Sequence, residues 1–397
     1  MNELIDAADL CVKCGLCLPH CPTYHHQHNE NESPRGRIAL IQAVASGELA
    51  ATKNLVAHID NCLLCRACER ACPAEVPYHQ LVDGFRSHYH QYYLAEQALQ
   101  QLAQHQALQG LAKASVKLYK NHTAQKIARW LHLDKGPMAY LPPVSPHPDN
   151  INASYAARAP VRGTVGLFTG CMGELLDAQT LHAAIKVLTF VGFNVEIPSQ
   201  QGCCGALALH AGDAKTAGAL ADANSRAFAN PDLTAIISVA SGCGGHLQEY
   251  PDSAVAEKTV DISQFLTVHG DALTGHLHAL PAKVSVHTPC SLKNVLQAET
   301  GVIRLLQQLS EVELQPLSEP SFCCGAAGSY MLTHPTLAKA LVTDIVEELA
   351  AQSHDYVVSA NLGCALHISA GLRARGLKQE VLHPVVLIAR QLKDAPP

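Results

Sequence analysis

The sequence predicts a mainly helical α+β domain at the N-terminus, followed by two copies of one α/β domain. Three observations carry this reading. A doubled four-cysteine run occupies the first eighty residues, a stretch rich in Ala, Leu, Gln and Lys follows it, and beyond residue 160 the chain repeats itself with a period near 120 residues. The boundaries drawn from these patterns are 1–85, 86–160, 161–280 and 281–397.

A chain of 397 residues, 48% hydrophobic and 16% charged, has room for two or three domains with real cores. The net charge of −6 argues against a nucleic-acid partner held through its phosphates. No apolar run approaches the ~18 residues that a membrane span needs, and Met1-Asn2-Glu3-Leu4 lacks the basic and apolar regions of a signal peptide. A cytoplasmic protein is therefore expected. Its sixteen cysteines fall into four patterned groups with none left over. In a reducing compartment such a density points to metal rather than disulfides.

The first group is Cys11, Cys14 and Cys17, then Cys21-Pro22; the second is Cys62, Cys65 and Cys68, then Cys72-Pro73. Each is the bacterial ferredoxin run C-x2-C-x2-C-x3-C-P, whose fourth cysteine serves the other cluster when two are present. Two [4Fe–4S] clusters are thus expected in a ferredoxin-like domain. One would be held by Cys11, Cys14, Cys17 and Cys72, and the other by Cys62, Cys65, Cys68 and Cys21. Two residues between ligands let a short loop wrap a cubane corner, and the proline turns the fourth thiolate away. A zinc site does not need this doubled pattern.

Forty residues separate Cys21 from Cys62. Pro34-Arg35-Gly36-Arg37 precedes the apolar helical stretch Ile38–Val44, and its arginines are read either as offsets to cluster charge or as a solvated turn. His25, His26 and His28 read as a polar loop. From about residue 80 to 135 the composition favours helix throughout. Lys113, Lys117, Lys120, Lys126, Arg129 and Trp130 make part of it basic, suited to a partner, to water or to an anionic membrane surface. Pro142–Pro148 reads as a linker.

The duplication is carried by three matches. Val165–Cys171 corresponds to Val284–Cys290, Gly202-Cys203-Cys204-Gly205-Ala206 to Phe322-Cys323-Cys324-Gly325-Ala326, and Ile236–Cys243 to Tyr356–Cys364, at offsets of 119, 120 and 121. Each copy alternates β-branched runs with Ala/Leu-rich stretches, the pattern of a mostly parallel sheet covered by helices. Cys171, Cys243, Cys290 and Cys364 each follow a predicted strand, where loops of open α/β sheets gather their ligands. Gly205 and Gly325 would let the backbone bend beside the paired cysteines.

These residues resemble the proteins that carry two CCG domains behind a ferredoxin-like domain, and the resemblance covers nearly the whole chain. The family includes iron–sulfur subunits of glycolate oxidase, anaerobic glycerol-3-phosphate dehydrogenase, lactate utilisation systems and heterodisulfide reductase. Similarity to the glycolate oxidase subunits rests on Pro34-Arg-Gly-Arg-Ile38, Ser241-Gly-Cys-Gly244, Cys323–Pro335 and Ala360–His367. Heterodisulfide reductases end the motif in Cys-x-x-Cys; here His246 and His367 take the last position. Each copy keeps four thiols, Cys171, Cys203, Cys204 and Cys243 in one and Cys290, Cys323, Cys324 and Cys364 in the other, enough for one or two further clusters. His246 and His367 are either additional ligands or donors to a nearby carbonyl.

No G-x-G-x-x-G after a strand, P-loop, nucleophile elbow or H-E-x-x-H is present, so no catalytic residue is expected. The resemblance implies an electron-transfer subunit beside an FAD-containing dehydrogenase subunit that oxidises a 2-hydroxy acid, glycolate foremost. Electrons would pass towards the quinone pool, with peripheral contact on the inner face of the cytoplasmic membrane. A thiol–disulfide reductase and an empty structural scaffold are the competing readings of the C-terminal half.

Overall fold

The computed structural model describes residues 2–91, 93–119, 136–141, 151–318 and 323–393. Lys120, Lys126, Arg129, Trp130 and the segment Pro142–Pro148 lie outside the described residues. No helix among the described residues is long and apolar enough to cross a membrane.

In the N-terminal part, helices Asn2–Asp9, Pro34–Ala45, Lys53–Asp60 and Tyr78–Tyr89 enclose an apolar core that includes Ile41, Ile59, Leu81 and Phe85. The cysteine runs form the loops between them. Ser33 starts the second of these helices by accepting from the Gly36 amide, with Pro34 at the first helical position. Arg37 therefore lies inside a helix and is fully buried, not in a solvated turn. His25 and His26 are likewise helical, within Pro22–Gln27, where the expected polar loop is absent. Pro22 opens that helix with its φ already set, and His26 Nε2 reaches Asp344 Oδ2 at 3.0 Å.

The helix expected to run on from residue 80 is broken into Tyr78–Tyr89, Leu94–Gln104 and Gln106–Tyr119. Tertiary contacts override propensity at the first break. The His90 ring bridges Asp60 at 3.0 Å and Glu96 at 2.7 Å, and its backbone leaves the helix to do so.

The first α/β unit is a five-stranded sheet of order β1-β3-β2-β4-β5, built from Ser154–Tyr155, Gly163–Phe168, Phe193–Glu196, Leu233–Ser238 and Thr259–Asp261 taken as β1 to β5. Only β1 is antiparallel. The second is a parallel sheet of order β7-β6-β8-β9, formed by Lys283–His287, Glu313–Pro316, Tyr356–Ser359 and Glu380–Leu382 as β6 to β9. Without β1 the two orders are the same, so the sequence repeat is a repeat of fold. One apolar core runs through both units, joining Leu188 and Phe190 to Val385 and Leu387. Lys186 Nζ donates across that seam to the Ala389 carbonyl at 2.9 Å.

Candidate metal centres

In the N-terminal domain, one small cavity is lined by Cys11, Cys14, Cys17 and Cys72, with Cys68 on its wall. A second is lined by Cys21, Cys62, Cys65 and Cys68. The two runs fold alike. Lys13 and Gly15 flank Cys14 at positive φ of 56° and 87°, and Leu64 and Arg66 flank Cys65 at 50° and 58°. Left-handed residues set among right-handed ones turn successive amides to one side, the arrangement that favours a bound anionic group. Non-glycine residues pay for this conformation, and such strain persists where the surroundings enforce it.

Donors already face the sulfurs. Leu64 N donates to Cys62 Sγ at 3.4 Å and Tyr78 OH to the same atom at 3.6 Å, while Thr23 Oγ1, which donates to the Glu32 carbonyl at 2.8 Å, lies 3.2 Å from Cys21 Sγ. Cys14 is exposed, whereas Cys21, Cys62 and Cys68 are buried. Burial and the neighbouring sulfurs push the Cys65 and Cys68 thiols well up, so a thiolate there requires a cation beside it. Arg35 lines the first cavity and donates to the Lys13 carbonyl at 3.3 Å. Arg37 lines the second, where its Nη2 pairs with Glu32 at 2.5 Å and its charge also acts on Cys62 and Cys21.

In the duplicated units Cys171, Cys243, Cys290 and Cys364 each follow the carboxyl end of a strand, β2, β4, β6 and β8 in turn, as expected. Cys171 and Cys243 lie in the first turns of helices Gly170–Leu176 and Ser241–Leu247. Cys290 and Cys364 do the same in Cys290–Asn294 and Leu362–Ala374. Helix starts favour a thiolate, but the contacts with Cys203 and Cys323, together with burial, push the Cys171 and Cys290 thiols well up. In one copy thiol contacts run from Cys171 to Cys203, Cys204 and Cys243 in turn. In the other they run from Cys290 to Cys323, Cys324 and Cys364. The bends are made by Gly205 and Gly325, at φ of +97° and +78°. At Gly325 a Cβ would come within 2.7 Å of the Ala338 carbonyl oxygen.

The starts of the two cysteine-bearing helices are tied together. Ser241 N donates to the Ala360 carbonyl at 3.0 Å, and Gly242 N to Asn361 Oδ1 at 3.1 Å. Asn361 Nδ2 in turn donates to Cys364 Sγ at 3.4 Å. A cavity of about 570 Å³ lies between the two cysteine groups and is closed partly by Leu63, Arg86 and Tyr93. The N-terminal domain meets the second copy at this point: Leu63, Cys65, Cys290, Cys323 and Tyr330 share one apolar cluster. Cys323 is close enough for its charge to push the Cys65 thiol up.

Of the sequence-proposed histidines, His367 is buried and hydrogen-bonds the Cys324 backbone, with its Nδ1 unpartnered. His246 stacks edge-on against Tyr250 with ring centroids 5.5 Å apart, and burial draws its pKa down to about 4. Neither is the histidine grouped with thiols. Among the described residues that one is His287, whose ring nitrogen and the Cys324 and Cys364 sulfurs all lie within 4.8 Å of one another. Sequence reasoning missed it, although its place at the end of the strand before Cys290 was a usable signal.

Comparison with known proteins agrees with this picture. A 4Fe-4S dicluster domain matches residues 7–76, and a cysteine-rich domain matches residues 165–248 and 284–369. The chain is 31% identical to the probable glycolate oxidase iron-sulfur subunit of Bacillus subtilis (strain 168), over 96% of this chain and 93% of the relative. It is 30% identical to the glycolate oxidase iron-sulfur subunit of Escherichia coli (strain K12), over 91% and 90% respectively. Lactate utilization protein A of Geobacillus thermodenitrificans (strain NG80-2) is 27% identical, covering 55% of this chain and 95% of its own length.

Proposed function

The chain belongs to the family of glycolate oxidase iron–sulfur subunits, and from that premise we propose that it carries electrons from an FAD-containing subunit that oxidises glycolate towards a quinone. Its place as an iron–sulfur electron-transfer subunit of an oxidoreductase follows from the family and from its dicluster and cysteine-rich domains.

The donor set fits cubane clusters: four thiols per group, arranged around a common space, with amide and hydroxyl donors aimed at sulfur. In this reading Cys11, Cys14, Cys17 and Cys72 hold one [4Fe–4S] cluster, and Cys62, Cys65, Cys68 and Cys21 the second. The partition of these residues between two cavities supports it. The Cys171 and Cys290 groups each hold one more. Bound clusters accept and release single electrons, and the protein sets spacing and potential.

The observation that carries the proposal is the order of the thiol groups. Cys14 is at the surface, flanked by the exposed apolar residues Val12 and Leu16. Cys21, Cys62 and Cys68 of the second group are buried, and its half-buried Cys65 shares an apolar cluster with Cys290 and Cys323 of the second copy. Ser241 and Asn361 join that copy to the first. The chain thus runs its thiol groups from the Cys14 surface to the second copy, and from there across the shared cavity to the first.

The test is reconstitution. Glycolate-dependent reduction of a soluble quinone analogue should require both the flavoprotein and this chain, with lactate and glycerol 3-phosphate as competitors. Turnover of glycolate by this chain alone would overturn the assignment.

A further inference from the structure

The two cysteine groups of the duplicated units are not chemically equivalent. His287 is the last residue of β6, and its exposure is 3%. Its ring nitrogen and the Cys324 and Cys364 sulfurs lie mutually within 4.8 Å. Nδ1 is hydrogen-bonded to Ser359 Oγ at 3.0 Å, and Ser359 sits directly across from it in the register of β6 and β8. That bond fixes the ring plane. With the proton on Nδ1 donated to Ser359, the Nε2 lone pair is left free for a metal, the outer-sphere arrangement typical of ligating histidines.

The first copy has the same scaffold and a different side chain. Phe168 ends β2 and faces Ser238 across the β2–β4 register, as His287 faces Ser359. Phe168 packs against Cys204 and Cys243, the counterparts of Cys324 and Cys364. Lacking a ring partner, Ser238 Oγ turns back to donate to the Ala240 carbonyl at 3.0 Å. The serine is common to both copies; the nitrogen beside it is not.

We propose that His287 is a nitrogen ligand to the iron–sulfur centre of the second copy, taking an iron position beside Cys324 and Cys364 in place of one of the thiolates of Cys290 and Cys323, and that the first copy's centre has cysteine ligands only. The second copy then offers five donors where the sequence motif supplied four. A neutral imidazole in place of a thiolate raises the potential of an iron–sulfur centre. That makes the second copy the more oxidising of the pair, and it is also the one that Cys65 adjoins. This inference rests on the reading that the second copy binds iron.

The test is pulsed EPR on the reduced, anaerobically purified full chain, with natural-abundance and ¹⁵N-histidine-labelled samples compared. A histidine nitrogen strongly coupled to the cluster spin should appear, change with the label, and be lost in both His287→Phe and His287→Gln. Absence of any such coupling in the wild-type chain overturns the inference without recourse to a variant, as does a coupling that persists in His287→Gln. Iron content separates the two layers. If Cys364→Ser leaves iron content and spectrum unchanged, the second copy binds no cluster and the underlying reading fails. If iron is lost with Cys364 but no nitrogen coupling exists in the wild type, only the histidine ligand is refuted.

Discussion

The Asn294 side-chain amide donates to the Cys65 backbone carbonyl at 2.8 Å, so the loop carrying the second N-terminal cysteine group is fastened to the helix that begins at Cys290. Tyr330 OH donates to the Asn61 carbonyl at 3.0 Å beside it. Asn294→Ala removes a neutral hydrogen bond, worth about 1 kcal/mol. The urea midpoint should fall by a corresponding amount while iron content stays that of the wild type. A loss of iron would mean that the bond shapes the centre and does more than join domains.

Cys14 is the exposed member of its group. Cys14→Ser should remove one cubane signal from the EPR spectrum, out of about eight irons expected from the N-terminal domain. Flavin-linked quinone reduction should stop with it. Full activity with the physiological acceptor in this variant would sink the relay.

Gly325 and Gly202 make a contrasting pair. Gly325 has φ of +78° and a backbone oxygen 2.7 Å from where a Cβ would stand, whereas nothing lies within 4 Å of a Cβ at Gly202. Gly325→Ala should cost roughly 1–3 kcal/mol through strain alone and deplete iron from the second copy. Gly202→Ala should stay within about 0.5 kcal/mol of wild type. Iron analysis and urea unfolding of the two variants side by side decide it.

His90 gives a stability dependence on pH. Burial alone would lower its pKa, but hydrogen bonds to Asp60 and Glu96 outweigh burial and lift it from 6.5 to about 9. Because the folded value is the higher one, the stabilisation is complete below about pH 6.5 and is lost as pH rises through about 9. Its size is of the order of 3 kcal/mol. His90→Gln should flatten the change in urea midpoint between pH 6 and pH 9.5; an unchanged slope would show that another group sets it.

Arg37 and Glu32 are both about 1% exposed and paired at 2.5 Å. Removing the cation leaves the buried Glu32 carboxylate without its arginine partner, held by the His58 ring and the Asn61 amide, so Arg37→Leu should destabilise the N-terminal domain by about 3–5 kcal/mol. Replacing both partners with apolar residues should recover most of that loss, measured by the urea concentration at which cluster absorbance bleaches.

Much of the site could be read before folding was considered. The N-terminal groups were legible because three of every four cysteines lie within seven residues, and a loop that short leaves the sulfurs little choice of neighbours. The repeat was legible because gene duplication leaves matched cysteines at matched offsets. Breaks in the helical middle were not, since His90 leaves its helix for Asp60 and Glu96, and Asp60 lies thirty residues earlier. The histidine tract was misread as loop because Pro22 marks both the end of a cysteine run and the start of a helix. His246 and His367 stood out by replacing an expected cysteine, while His287 looked like one more residue of a strand.

By itself the sequence determined which sulfurs belong to which local group, because a few covalent bonds limit where neighbouring side chains can go. It also determined that the α/β unit occurs twice. Only the tertiary structure decided that Cys65 abuts Cys323 and that His287 stands beside Cys324 and Cys364. Those meetings depend on strand order, register and domain packing, in which hundreds of weak contacts act together over residues far apart in the chain.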